Sequence, residues 1–64
     1  MIVQLPDKST LDIRGEQCTI EELLDRLAIN TSEVVVSVNG RITPEDAFVG
    51  GDDRIRIIRV AHGG

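Results

Sequence analysis

The sequence has 64 residues, of which 41% are hydrophobic, and eleven acidic side chains against seven basic ones give a formal net charge of −4. A domain this short has little room for an enclosed catalytic cleft, so its length disfavours an enzyme and favours a carrier, adaptor or binding module. The acidic balance and the single aromatic residue, Phe48, disfavour general nucleic-acid binding, which depends on phosphate neutralisation and base stacking.

Cys18 is the only cysteine, which excludes an intramolecular disulfide and a metal site built from paired cysteines. No metal site is therefore predicted. The sequence shows neither a basic-then-apolar signal segment nor an apolar run near the about 18 residues that a membrane-spanning helix needs. We expect a soluble, cytoplasmic protein that does not contact a membrane.

The first predicted element is a hairpin. Residues 2–5 favour a strand, Pro6 to Ser9 has the composition of a turn, and residues 10–14 alternate polar and apolar side chains. This alternation is typical of a half-buried strand. The side chains expected on the core face are Val3, Leu5, Leu11 and Ile13.

A short helix follows Gly15. Thr19 and Glu22 are spaced as a capping box, and apolar residues at positions 20, 23, 24 and 27 form one helical face. The helix is predicted to end between positions 28 and 30, where Asn30 would tolerate a left-handed conformation. Since such a short helix is not stable alone, it must pack on a sheet.

A second hairpin is predicted from the valine-rich run Val34–Val38. Asn39-Gly40 follows it directly and is the strongest short signal for a two-residue turn, after which residues 41–43 form a brief return strand. Val34, Val36 and Val38 are expected to face inward. This arrangement leaves Val35 and Ser37 facing outward.

A loop over residues 44–53 precedes the last predicted strand, residues 54–60. Ala47, Phe48 and Val49 in this loop are expected to fill the lower edge of the core, and residues 50–53 have the composition of a turn. Ile55 and Ile57 are expected to face inward, which turns Arg56 and Ile58 outward.

The predicted order is β-β-α-β-β-β, which is an α+β class with a mixed sheet of four to five strands packed on one helix. Strands joined by a helical crossover are often parallel neighbours, which would place the first and last strands at the centre. This arrangement is the β-grasp, or ubiquitin-like, fold. Residues 1–60 are predicted to form the domain and residues 61–64 a flexible C-terminal tail.

The fold order and several short segments together resemble the ubiquitin-like sulfur carriers. This family includes the carriers of thiamine and molybdopterin synthesis, the ubiquitin-related modifier of tRNA thiolation and the small archaeal modifiers. Gly40-Arg41 followed by Pro44-Glu45-Asp46 is most similar to the small archaeal modifiers. The other segments that carry the resemblance are Val38-Asn39-Gly40, Gly51-Asp52, residues 55–60 and the terminal Gly63-Gly64.

The resemblance implies chemistry at the Gly64 carboxylate rather than at a catalytic side chain. A partner adenylating enzyme would use ATP and Mg²⁺ to activate this carboxylate, and the chain itself would bind no cofactor. A sulfur donor would then give a thiocarboxylate for a sulfur-accepting synthase, or a lysine of a target protein would form an isopeptide bond. Gly63 and Gly64 lack a Cβ and would fit a narrow channel close to enzyme backbone.

Candidate docking residues come from the strand alternation and from the tail. The predicted outer sheet face carries Val35, Ser37, Arg56 and Ile58, and we expect Val60 and His62 to contact the partner near the tail. Lys8 is the only lysine, so a self-linked chain would have to use Lys8 or the N-terminal amine.

Two other functional classes compete with the carrier interpretation. Leu5-Pro6-Asp7 followed by Ser9, together with Val38-Asn39-Gly40, is also similar to the small RNA-associated domain appended to some tRNA synthetases and GTPases. A free-standing enzyme is disfavoured because one histidine and one cysteine make no catalytic constellation. Within the carrier family, the sequence leaves open thiamine synthesis, molybdenum-cofactor synthesis, tRNA thiolation and protein conjugation.

Overall fold

The computed structural model describes residues 1–60 of the chain. Seven strands, one α-helix and one 3₁₀ helix make up this part. The strands are β1 (Ile2–Gln4), β2 (Thr10–Asp12), β3 (Cys18–Thr19), β4 (Val34–Val38), β5 (Arg41–Ile42), β6 (Phe48–Val49) and β7 (Arg54–Arg59). The helices are α1 (Ile20–Arg26) and the 3₁₀ helix Thr31–Glu33.

Five of the strands form one mixed sheet in the order β2-β1-β7-β4-β5. β1 and β7 are parallel, with Val3 opposite Ile55, and every other pair in this sheet is antiparallel. The predicted α+β, β-grasp architecture is therefore confirmed, including the first and last strands as central neighbours.

A second sheet of two strands was not predicted. β3 and β6 pair antiparallel, with Cys18 opposite Val49 and Thr19 opposite Phe48. Strands of two residues are too short to show an alternating pattern, which is why the sequence predicts a loop over residues 44–53. The pairing ties the entry of the helix to the segment that precedes β7.

The core lies between α1 and the inner face of the five-stranded sheet. α1 contributes three side chains that are at most 1% exposed, and β7 contributes Ile55 and Ile57 at 2% each. The predicted inward orientation of these residues is confirmed. The buried residues are Met1, Val3, Cys18, Ile20, Leu23, Leu24, Val36, Val49, Ile55 and Ile57.

Two residues that were predicted to fill the core are exposed. Leu11 lies opposite Val3 but stays 39% exposed, because β2 is an edge strand with a neighbour on one side only. Phe48 is 63% exposed because β6 alternates, and its inward position is taken by the fully buried Val49. Ala47 packs against the core as predicted, although only partly buried.

The N-terminus of α1 has the predicted capping box. The Thr19 hydroxyl accepts a hydrogen bond from the Glu22 amide at 3.1 Å, and the Glu22 carboxylate accepts one from the Thr19 amide at 3.0 Å. Hydrogen bonds from Thr19 lower the pKa of Glu22, and the bond from the backbone amide has a larger effect than the bond from the hydroxyl. The reciprocal bonds satisfy two backbone donors that the first turn leaves free.

The helix ends earlier than predicted, and the left-handed residue is Ala28 rather than Asn30. Ala28 has a φ of 59°, and its amide bonds the Asp25 carbonyl at 3.0 Å while the Ile29 amide bonds the Leu24 carbonyl at 2.9 Å. These two bonds make a Schellman motif, which turns Ile29 back to pack against the core. Asn30 instead caps the 3₁₀ helix by accepting from the Ser32 amide at 3.0 Å.

We expect Ala28→Gly to stabilise the protein by about 1 kcal/mol, because glycine adopts a left-handed conformation without the steric cost that a Cβ imposes. Urea unfolding followed by circular dichroism measures the change. Ala47→Gly is the matched control, because Ala47 is not among the three non-glycine residues with positive φ. This substitution should destabilise the protein. A lower urea midpoint for Ala28→Gly would contradict the role assigned to this turn.

A hydrogen-bonded cluster around Asp53 joins the Asn39-Gly40 turn to the turn at residues 50–53. The Asp53 carboxylate accepts from the Asn39 side-chain amide and from the Gly50 backbone amide, each at 3.0 Å. Asn39 in turn accepts from the Arg54 amide at 3.0 Å. Asn39 and Gly40 both have positive φ, as a type I′ turn requires, so the predicted hairpin turn is confirmed.

The Asp53 cluster predicts a pH-dependent part of the stability. Bonding to the Asn39 amide and then to the Gly50 amide lowers the pKa of Asp53. The unfolded chain therefore binds this proton more readily, so the contribution of Asp53 is complete above about pH 4 and is lost as the pH falls through the folded pKa. Urea midpoints should fall less steeply below pH 4 in Asp53→Asn than in the wild type. Equal slopes would show that the cluster is not coupled to folding.

Candidate functional site

The carboxyl ends of β1 and β7 lie at the same edge of the sheet, because the two strands are parallel. We call this the carboxyl edge; it comprises the turn 6–9, Arg59, Val60 and the start of β4. The Val60 amide donates to the Glu33 carbonyl at 2.9 Å, and Arg59 lies opposite Val34. The point from which residues 61–64 continue is thus fixed against the sheet.

Three predicted site residues, His62, Gly63 and Gly64, lie outside the described residues, as does the predicted tail 61–64. Val60, the last described residue, is 40% exposed just beyond the end of β7.

The outer face of the sheet is the one that α1 does not cover, and it brings four predicted docking residues together. Ile58 lies directly opposite Val35, and Arg56 lies directly opposite Ser37. Arg56 and Ile58 are exposed, whereas Val35 and Ser37 are partly exposed. The alternation in β4 and β7 therefore orients these side chains as predicted, while their role in docking stays a prediction.

The sequence-based prediction of docking residues did not include three further side chains on the outer face. Ile2 and Ile42 are 43% and 68% exposed, and Arg54 lies opposite Ile2. Two signals were present in the sequence. An inward Val3 turns Ile2 outward, and a two-residue turn at Asn39-Gly40 sets Ile42 opposite Ser37.

A shallow depression of about 520 Å³ runs across this face. Its apolar walls come from three strands, and polar side chains lie between them. The residues that line it are Ile2, Gln4, Thr10, Ser37, Gly40, Ile42, Arg54, Ile55, Arg56 and Ile58. Apolar patches interrupted by arginines are common in protein interfaces that form and separate.

The charges on the two sides of the domain differ in sign. The outer face carries Arg54 and Arg56 on its central strand, whereas the exposed side of α1 carries Glu21, Glu22 and Asp25. Among the described strands, the register places one carboxylate on the outer face, that of Asp12, which lies 3.5 Å from the Arg14 guanidinium. A protein of net charge −4 therefore presents a locally basic, partly apolar surface.

Lys8 lies exposed in the turn at the carboxyl edge, with a φ of 74°. No ion pair involves Lys8 within residues 1–60. Cys18 is buried on β3 at 5% exposure.

The described residues contain no cluster of three or more potential metal ligands. Across the same span of chain, no helix has both the length and the apolar character required to cross a membrane. A depression of about 630 Å³ lies at the opposite edge of the sheet from Val60, and its walls mix arginines with carboxylates.

Comparison with known proteins gives one family and a set of related structures. The family described as small archaeal modifier protein 2 matches residues 2–61. No curated protein matches the chain.

Two of the similar solved structures are of a thiamine biosynthesis protein from Geobacter metallireducens. The crystal structure of that protein, ThiS, has a TM-score of 0.71 and 24% identity, and the match covers all of both chains. The solution structure has a TM-score of 0.62 and 27% identity, covering all of this chain and 88% of that one. The first likeness establishes the shared fold.

Proposed function

Because the chain belongs to the small archaeal modifier protein 2 family, we propose that it is a ubiquitin-like modifier and sulfur carrier whose Gly64 carboxyl group is activated by a partner enzyme. The observation that carries this proposal is the family match over residues 2–61, directly followed by His62-Gly63-Gly64. In this role the partner enzyme, rather than the chain, would supply the catalytic groups. The chain supplies a recognisable surface and a carboxyl group.

Activation is needed because a carboxylate is a poor electrophile. In the adenylating enzyme, a Gly64 carboxylate oxygen attacks the α-phosphorus of ATP, and pyrophosphate leaves with its charge balanced by Mg²⁺. The product is an acyl-adenylate, in which AMP is a good leaving group. Neither glycine has a Cβ, so the segment can lie close to the enzyme backbone in the nucleotide site.

Two fates of the acyl-adenylate have separate support. The family description, a modifier protein, favours attack by a lysine amine of a target protein and an isopeptide bond. The likeness to a thiamine biosynthesis protein favours attack by the sulfur of a persulfide donor. A thiol reductant then releases the thiocarboxylate for a sulfur-accepting synthase. Both fates begin with the same adenylate, so one activating enzyme serves both.

Docking on the activating enzyme would use the outer face. Val35 and Ile58 offer apolar contact area, and Arg54 and Arg56 offer positive charge beside it. Since Val60 is held to Glu33, a partner bound to this face meets the start of the segment 61–64 at a defined place. A partner surface with an apolar centre and carboxylates at its rim fits these groups.

The activation step is tested by intact mass after incubation with ATP, Mg²⁺, the activating enzyme, a persulfide donor and a thiol reductant. We expect a gain equal to the replacement of one oxygen by one sulfur. Loss of Gly64 should abolish the gain, and Gly63→Val should reduce it strongly because the added Cβ branches block entry to a narrow channel.

Both variants change only positions 63 and 64, beyond the predicted domain 1–60, and should leave the urea midpoint unchanged. An unmodified mass, with the activating enzyme competent on another carrier, would refute the proposal. A gain that persists without Gly64 would place the chemistry elsewhere in the chain.

The docking surface is tested by reversing one charge on it. Arg56→Glu should weaken binding to the activating enzyme about tenfold or more, since it sets a carboxylate against an acidic partner rim. Isothermal titration calorimetry at two salt concentrations measures the effect, which should shrink at high salt.

Arg26→Glu is the matched control, because it makes the same charge change at an exposed side chain on α1, which covers the opposite face of the sheet. Equal losses for both variants would indicate that net charge, rather than the outer face, governs binding.

A further inference from the structure

The modifier function requires an amine to accept the activated carboxyl group, and the chain itself contains very few amines. The sequence has one lysine, Lys8, and residues 61–64 add none. The other primary amine in the structure is the ammonium group of Met1. Self-linkage through an isopeptide or peptide bond therefore has two candidate acceptors, whose surroundings differ sharply.

The Met1 amine is held in the sheet. It donates to the Ile13 carbonyl at 2.8 Å, and the Ile13 amide donates back to the Met1 carbonyl at 2.9 Å. The Asp12 carboxylate lies 4.0 Å away, and Met1 as a whole is 9% exposed and belongs to the core. To attack an acyl carbon, this amine would have to leave its hydrogen bond and withdraw the Met1 side chain from the core.

Lys8 has the opposite environment. It is exposed at the tip of the first hairpin, where its amide closes a turn with the Leu5 carbonyl at 2.8 Å. The neighbouring Asp7 carboxylate accepts from the Ser9 amide at 2.9 Å and from the Ser9 hydroxyl at 2.5 Å, which commits it to the turn. Both bonds lower the pKa of Asp7, and the bond from the Ser9 hydroxyl has the larger effect.

The backbone at Lys8 is strained for its residue type. A three-residue hairpin loop of this kind, a turn followed by a left-handed residue, normally has glycine at the left-handed position. Lys8 has a φ of 74° there, where a Cβ is unfavourable. A non-glycine residue with positive φ costs conformational free energy, and such residues often have a functional role. The side chain at this position is the only lysine side chain of the protein.

The topology also sets Val60 and the turn that carries Lys8 at the same edge of the sheet. β1 runs parallel to β7 with Gln4 opposite Arg56, so the turn that follows β1 lies beside the end of β7. Lys8 and Val60 are therefore both at the carboxyl edge. A partner that holds the segment after Val60 lies on the same side of the molecule as the Lys8 amine.

We propose that Lys8 is the acceptor amine for the activated Gly64 carboxyl group, from the same molecule or from another copy. The neutral Lys8 amine attacks the acyl carbon of the Gly64 adenylate. A carbon–nitrogen bond forms, the carbon–oxygen bond to AMP breaks, and the amine proton passes to solvent. This inference rests on the proposed activation of Gly64 and adds the identity of the acceptor.

The test incubates the protein with ATP, Mg²⁺ and the activating enzyme, without a sulfur donor and without another protein substrate. We expect products one water lighter than the sum of their parts. A dimer or longer ladder indicates linkage between copies, and a monomer lighter by one water indicates linkage within one molecule. Trypsin cuts after Arg59, so linked Lys8 should carry a Val-Ala-His-Gly-Gly branch and resist cleavage before Ser9.

Lys8→Arg removes the nucleophile and keeps the positive charge and a side chain with a Cβ at this position. It should abolish the linked products but leave thiocarboxylate formation, measured in parallel with a persulfide donor and a thiol reductant, at the wild-type level. Lys8→Gly should also abolish linkage, and it should raise the urea midpoint by relieving the positive φ.

Other outcomes overturn the inference in distinguishable ways. A branch on the Met1 amine, or linked products from Lys8→Arg, would assign the acceptor elsewhere. Wild-type protein that forms the thiocarboxylate but no linked product would refute the Lys8 acceptor and leave the carrier function standing. Failure to form either the thiocarboxylate or a linked product would refute both the activation of Gly64 and the Lys8 acceptor.

Discussion

The parallel pairing of β1 with β7 is the constraint on which the rest of the structure depends. Parallel strands cannot be joined by a tight turn, so the chain between Gln4 and Arg54 must cross over the sheet. α1 makes this crossover on one face and buries Ile20, Leu23 and Leu24 there. The same crossover leaves the other face uncovered, and this uncovered face becomes the candidate docking surface.

In a sheet covered on one side, alternate residues of each strand are buried against the core or exposed to solvent. In β7, Ile55 and Ile57 are buried at 2% exposure, whereas Arg56 and Ile58 between and beyond them face solvent. The buried set holds the domain together, and the exposed set contributes little to folding. The exposed isoleucines beside arginines on this face are the features on which the proposed docking surface rests.

A domain of 60 described residues has little stability to lose, so its unfavourable backbone positions are informative. Ala28, Asn39 and Lys8 all have positive φ without being glycine. Ala28 closes the helix with two backbone bonds, and Asn39 bonds both Asp53 and the Arg54 amide. At Lys8 the compensation is limited to the hairpin turn itself, which leaves its exposed side chain as the feature to explain.

The sequence by itself determined the elements whose signals are local: the capping box at Thr19 and Glu22, the Asn39-Gly40 turn, and the inward set of β4 and β7. These follow from hydrogen bonds and alternation within a few residues. Only the tertiary structure decided the exposure of Phe48 and Leu11, the pairing of β3 with β6, and the meeting of Ile2, Ile42 and Arg54 on one face. Burial and pairing depend on which strand lies alongside, and that neighbour is set by contacts between segments distant in the chain.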